Sequence, residues 1–291
     1  MPLSLSRLAF PALILGAAAL GLGPIFVRLA DVGPVASAFW RLALSLPLLL
    51  LLFTLRRGET TQASPPSPKV VLACGFFFAI DIGLWHLSIA RTSVANATLL
   101  ANLNVIFVVL AGIFLFRERV GVRFLAALAI ALLGAAALMG SSIRFAPARV
   151  PGDLLAIAAA ALYGAYLVAA KELRKRISVV QVLLWTGAIT AAVLLPVSAL
   201  LGERLWPASA AGWLPLVGLG LICQVSGQGL VVFALAHLPA NFSALTLLIQ
   251  PVVAALLAWQ LFGEALGALE LAGAVLVLTG ILLARLSLRR G

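Results

Sequence analysis

"IARTSVANATLLANLNVIFVVLAGIFLFRERVG", Ile89 to Gly121, and "LAHLPANFSALTLLIQPVVAALLAWQLFGEALG", Leu235 to Gly267, align without a gap when the chain is slid along itself by 235 − 89 = 146 positions. Phe116 then falls on Phe262, Glu118 on Glu264, Gly121 on Gly267 and, further along, Gly134 on Gly280. A looser match relates "GAAALGLG" from Gly16 to "AAAALYGA" from Ala158. The chain therefore reads as a duplication, with residues 1–146 and 147–291 as its two repeats. Each aligned stretch holds an apolar run of about 20 residues, the length that crosses a hydrocarbon core of about 30 Å as a helix.

The rest of the chain has the same character. Of 291 residues, 64% are hydrophobic and 10% charged, with a mean hydropathy of +1.18. Such values exclude a soluble domain of any size. Ten spans are expected, over residues 8–30, 34–55, 69–90, 93–116, 121–140, 151–171, 179–201, 211–236, 240–262 and 267–286. Arg7 ahead of an apolar run with Ala17, Ala18 and Ala19 also fits a secretory signal, but nine further spans make it the first transmembrane helix. The fold class expected is all-α: ten transmembrane helices in two five-helix repeats.

Five spans per repeat is an odd number, so the second repeat enters the bilayer from the opposite side. The basic residues agree. With the N-terminus in the cytoplasm, fourteen of the twenty Lys and Arg fall on that side, including Arg56, Arg57, Arg117, Arg119, Lys171, Lys175 and Arg289. The "RERV" turn keeps its arginines while its repeat mate "GEAL", on the other side, has none. This is the positive-inside pattern, and it places both termini in the cytoplasm of a bacterial-type inner membrane. The formal charge of +11 is thereby explained without nucleic acid, and no basic segment is interleaved with aromatics as such binding requires. Inverted repeats are the architecture of many secondary transporters, because exchanging the conformations of the two halves gives alternating access.

Three features extend this to a family. "FWR" (Phe39, Trp40, Arg41) stands early in span two, and "LLIQPVVAALLAWQLFGEAL" (Leu247 to Leu266) carries Pro251 in mid-helix and Glu264 at the next turn. With the five-plus-five layout, these resemble the drug/metabolite transporter superfamily and its paired EamA domains. The resemblance covers essentially the whole chain. In the first repeat Asn104 and Val105 stand where a proline is expected, so the break implied by Pro251 in span nine has no proline to make it in span four. Length and overall pattern look most like bacterial amino-acid exporters, the aromatic amino-acid group among them.

Polar residues inside spans mark the pathway. In "GFFFAIDIGLWHLSIARTS", Gly75 to Ser93, a turn of about 100° per residue puts Trp85 about 40° from Asp81 and Ser88 about 20° to its other side. Asp81, Trp85 and Ser88 form one stripe, and His86, about 140° away, belongs to another. Asp81 suits contact with a substrate ammonium group, carriage of a coupling proton, or a structural hydrogen bond with Arg41 as counter-ion. For His86 an interhelical hydrogen bond is the expectation. Further candidate substrate contacts are Thr98 and Asn102, four apart in span four, Tyr163 and Tyr166 in span six, Gln224 and Gln228 in span eight, and Gln250 in span nine. Gly21, Gly23 and Pro24 in span one, and Pro251 in span nine, are the expected gating hinges. Ala127, Ala131 and Ala135 read as small-residue helix packing.

No HExxH, Walker A or intramembrane serine-protease motif occurs, and Cys74 and Cys223 inside spans suggest neither disulfide nor metal. No enzyme, cofactor or metal is expected. The function expected is export of small amphipathic metabolites, most plausibly amino acids, with the lipid bilayer and a small-molecule substrate as partners and protons as one option for coupling. Alternatives are export of drugs or purine-type metabolites, a channel-like pore, and an intramembrane enzyme acting on lipid.

Overall fold

A computed structural model describes residues 3–55, 66–118, 120–139, 147–262 and 267–289. All regular structure among them is helical. Ten helical segments are long and apolar enough to cross a bilayer: span one, Arg7–Leu29; two, Pro34–Leu55; three, Pro68–Arg91; four, Asn96–Leu115; five, Val122–Met139; six, Pro147–Arg174; seven, Val179–Leu200; eight, Trp213–Leu235; nine, Ala240–Leu261; and ten, Ala268–Leu288. Large apolar side chains such as Leu133, Leu200 and Val275 point outward, as lipid-facing surfaces require.

Local chemistry sets the ends. Span seven starts with a capping box, in which Ser178 Oγ accepts from the Gln181 N–H and Gln181 Oε1 accepts from the Ser178 N–H. The helix of span four stops at Arg117, which takes the left-handed conformation at φ 52°. The next N–H, of Glu118, reaches back to the Gly112 carbonyl at 2.9 Å, satisfying an end carbonyl of the helix. The "GEAL" turn with Glu264 lies outside the described residues.

Four of the ten spans are discontinuous. Span one breaks between Gly21 and Gly23, ahead of Pro24, and span two between Ala43 and Leu46. Span nine breaks between Thr246 and Ile249, ahead of Pro251. Span four breaks at the equivalent place, between Ala101 and Asn104, although it has no proline. There, the Asn104 amide takes over a carbonyl that the helix leaves unpaired, its Nδ2 donating to Ala101 O at 3.0 Å, while Asn102 Nδ2 donates at 2.8 Å to Thr98 O, which also accepts the Asn102 backbone N–H. In span eight, Leu219–Gln228 is π-helical, a form concentrated at functional sites.

The two halves meet closely at several glycines. Gly16 of span one lies against Gly227 of span eight, where an added Cβ would stand 2.9 Å from the Gly227 oxygen. Spans five and ten cross with backbones in contact: a Cβ on Gly273 would come 2.2 Å from Leu138 N, one on Gly134 2.6 Å from Val277 N, and one on Gly280 2.7 Å from both Ala127 O and Ala131 Cβ. The register shift relates these contacts in pairs. Gly134 maps on Gly280 (134 + 146), Ala127 on Gly273 (127 + 146) and Ala131 on Val277 (131 + 146), so the crossing repeats itself about a pseudo-twofold axis. Ala127 and Ala131 serve as the small residues of this seam.

Candidate substrate cavity

The breaks surround a central cavity of about 60 Å3, room for a few ordered waters. Its walls come from both repeats: Leu20, Arg41, Phe78, Asp81, Ile82, Trp85, Thr98, Ala101, Asn102 and Asn104 from the first, Tyr163, Gln228 and Gln250 from the second. Asp81 and Arg41 are 6% and 4% exposed, so one carboxyl group and one guanidinium face a small space with aromatic and amide walls. Charges are found inside a membrane protein where they face one another or a polar cavity, and this one supplies both conditions.

Of the residues singled out in the sequence, Asp81, Trp85, Thr98, Asn102, Tyr163, Gln228 and Gln250 come together here. Three do not. Ser88 is fully buried and its hydroxyl donates to the Trp85 carbonyl of its own helix at 2.8 Å. Gln224 stands behind the wall, its Oε1 accepting from Arg41 Nε at 3.2 Å, and thus holds the guanidinium. Tyr166 also lies one layer back, stacked on Phe78 with ring centroids 4.5 Å apart. The Gln228 amide accepts from the Tyr163 hydroxyl at 3.2 Å and donates to the Tyr166 hydroxyl at 3.3 Å, so one side chain fixes both tyrosines.

Asn104, which in the sequence stands where a proline is expected, completes the wall. Its repeat mate is Gln250 (104 + 146), so each half sets an amide at its own helix break. An amide at the same register position of both repeats was the signal available.

His86 sits apart from the cavity. Ser37 Oγ donates to Pro34 O at 2.7 Å, which leaves the Ser37 hydroxyl oxygen as acceptor for His86 Nδ1, 2.7 Å away. The network assigns the Nδ1–H tautomer. His86 thus ties span three to span two, the interhelical role expected of it.

Gly21 and Gly23 lie against residues of the cavity wall. A Cβ on Gly21 would lie 2.9 Å from the Gln250 carbonyl oxygen, and one on Gly23 3.4 Å from the Trp85 ring. The break in span one therefore touches the break in span nine and the aromatic wall. Pro251 follows Gln250 in the first turn of the helix that resumes after the second of these breaks.

The two ends of the bundle differ. At the end away from the termini, the 201–212 connection is bound across spans one and two. Gly33 N–H donates to Arg204 O at 2.9 Å, Ala36 N–H to the Glu203 carboxylate at 2.8 Å, Trp40 Nε1–H to Leu205 O at 2.7 Å and Ala208 N–H to Asp31 at 3.0 Å. Trp40, Trp206 and Trp213 pack ring on ring over this seal, with centroids 4.7–5.9 Å apart. At the end bearing the termini there is instead an open recess of about 590 Å3 that includes Glu118, Lys171 and His237.

Among the described residues, no group of three or more His, Cys, Asp or Glu is placed to hold a metal ion. Cys74 and Cys223 are free and buried.

Comparison with known proteins adds identity to this geometry. The model of the EamA-like transporter family matches twice, over residues 8–140 and 150–286, once for each repeat. An uncharacterized transporter of Archaeoglobus fulgidus is 26% identical over 94% of both chains. The pseudopaline exporter CntI of Pseudomonas aeruginosa is 27% identical over 78% of both. A solved crystal structure covering 98% of this chain and 99% of its own superposes with a TM-score of 0.80 at 23% identity, which establishes the shared fold. With two family matches spanning nearly its whole length, ten membrane-crossing helices and a cavity between its halves, the chain belongs to the EamA-like transporter family.

Proposed function

We propose that the protein is a secondary carrier that exports small amphipathic metabolites, amino acids foremost, by alternating access across a bacterial-type inner membrane with both termini in the cytoplasm. The observation that carries this reading is the central cavity, where helix breaks from both repeats bring Asp81, Arg41 and neutral amides beside Trp85, Phe78 and Tyr163. A zwitterion with an apolar side chain matches each part: carboxylate to Arg41, ammonium to Asp81, side chain to the rings. Discontinuous spans meeting near mid-membrane are how inverted-repeat carriers build such sites. One relative is named as an exporter, which supports the direction of transport. The small cavity, the sealed end and the open recess describe a contracted state facing the termini.

A liposome panel tests the proposal. Purified protein is reconstituted, and uptake of labelled amino acids, purines and cationic dyes is followed with and without a pH gradient. Saturable flux of amino acids with counterflow is expected. Non-saturating flux indicates a pore, transport confined to purines or dyes indicates a different cargo, and chemical conversion of a solute or lipid indicates an enzyme. A dependence of flux on the pH gradient distinguishes proton coupling from passive exchange.

A further inference from the structure

Three buried oxygens at the break of span four have no hydrogen-bond partner: Thr98 Oγ1, Asn102 Oδ1 and Asn104 Oδ1. Their residues are 4%, 4% and 2% exposed and line the cavity together with Asp81. Buried polar atoms are normally satisfied, so three unpaired on one wall call for an explanation. The amides cannot turn round to find one. Each spends its Nδ2–H on a backbone carbonyl, of Thr98 for Asn102 and of Ala101 for Asn104, and a flip would set oxygen against oxygen. The helix break therefore aligns both amides with oxygen as the free atom. Beside the Asp81 carboxyl group, this wall offers a donor-rich cation several acceptors at once.

We infer that Thr98, Asn102 and Asn104, with Asp81, form the seat of a compact monovalent cation: the ammonium group of the substrate, or an alkali ion that travels with it. The inference rests on the proposed reading of the cavity as the transport site. An ammonium group has three N–H donors and no acceptor, and an alkali ion likewise takes oxygen ligands alone, so both satisfy atoms that the protein leaves bare.

The test uses full-length protein in detergent, with thermal melting followed in titrations of phenethylamine, 3-phenylpropionate, and sodium chloride against choline chloride at equal ionic strength. Phenethylamine is expected to raise the melting temperature, and 3-phenylpropionate to leave it unchanged. Thr98→Val removes an oxygen that has no partner while keeping the side-chain shape. It is expected to melt at or above the wild-type temperature without ligand, yet to bind phenethylamine about tenfold more weakly, as loss of one hydrogen bond to a charged group implies. Stabilisation by sodium over choline, reduced in the same variant, assigns the seat to an alkali ion. Three results overturn the inference: no stabilisation by either cation, equal stabilisation by 3-phenylpropionate, or a Thr98→Val protein that melts lower and binds phenethylamine unchanged. Amine binding without flux in liposomes would remove the carrier reading and keep the seat; flux of solutes lacking a cationic group would do the reverse.

Discussion

Asp81 is a buried carboxylate on a cavity wall, with Arg41 close enough to act on it through its charge. Asp81→Asn keeps the size and removes the charge, so it is expected to abolish substrate flux in liposomes while the protein remains folded in the membrane. Full flux in a variant that elutes and melts like the wild type would show that the carboxylate is structural. The stripe of Asp81 and Trp85 was legible from helical angle alone. Ser88, at an even smaller angle, was not placed correctly, because its hydroxyl turns back to its own backbone. Gln224 fails for a different reason: its partner, Arg41, lies 183 positions earlier. Angle on a helix tells which way a side chain sets out, and the tertiary neighbour decides what it meets.

At the scale of elements, span boundaries followed from hydropathy because a helix cannot leave its backbone unpaired in lipid. Breaks within spans were legible only where a proline or glycine made them, as in spans one and nine. Span four breaks where two asparagine amides donate to its own carbonyls, that of Asn104 replacing a missing backbone partner, and the π-helical part of span eight carries no mark in its sequence that periodicity would reveal. The glycine seam of spans five and ten supplies a sharper expectation. Gly273→Val sets a side chain where even an added Cβ would collide with Leu138 N, and overpacking of this kind costs about 1–3 kcal/mol or more. A clear fall in melting temperature is expected, whereas Gly121→Ala, with nothing within 4 Å of the added atom, changes it by little. Equal melting of the two variants would mean that the seam yields.

The distribution of arginines gives an expected membrane orientation, and for the whole molecule the duplication was visible in one ungapped alignment, in line with the two family matches. The state of the two ends was not, since the seal depends on the 201–212 connection folding over residues 31–40. Accessibility tests both together. Cys74 and Cys223 are buried, so cysteines can be introduced on the native background and treated with an impermeant thiol reagent. In vesicles whose outer surface corresponds to the outside of the cell, Glu118→Cys is expected to react only after permeabilisation. Ala36→Cys is expected to stay protected on either side and to become reactive when Trp40→Ala removes the centre of the tryptophan cluster. Reaction of Glu118→Cys in intact vesicles would reverse the orientation, and reaction of Ala36→Cys alone would mean that the seal is open.

The crossing of spans five and ten has a geometric meaning as well as an energetic one. Its contacts map onto themselves when the repeats are interchanged, so it lies on the symmetry axis. A point on such an axis keeps its place when two halves trade conformations, while everything away from it is displaced. If the halves trade conformations as the proposed mechanism requires, the seam is its fulcrum, and its glycines let the arms of a lever touch at the pivot.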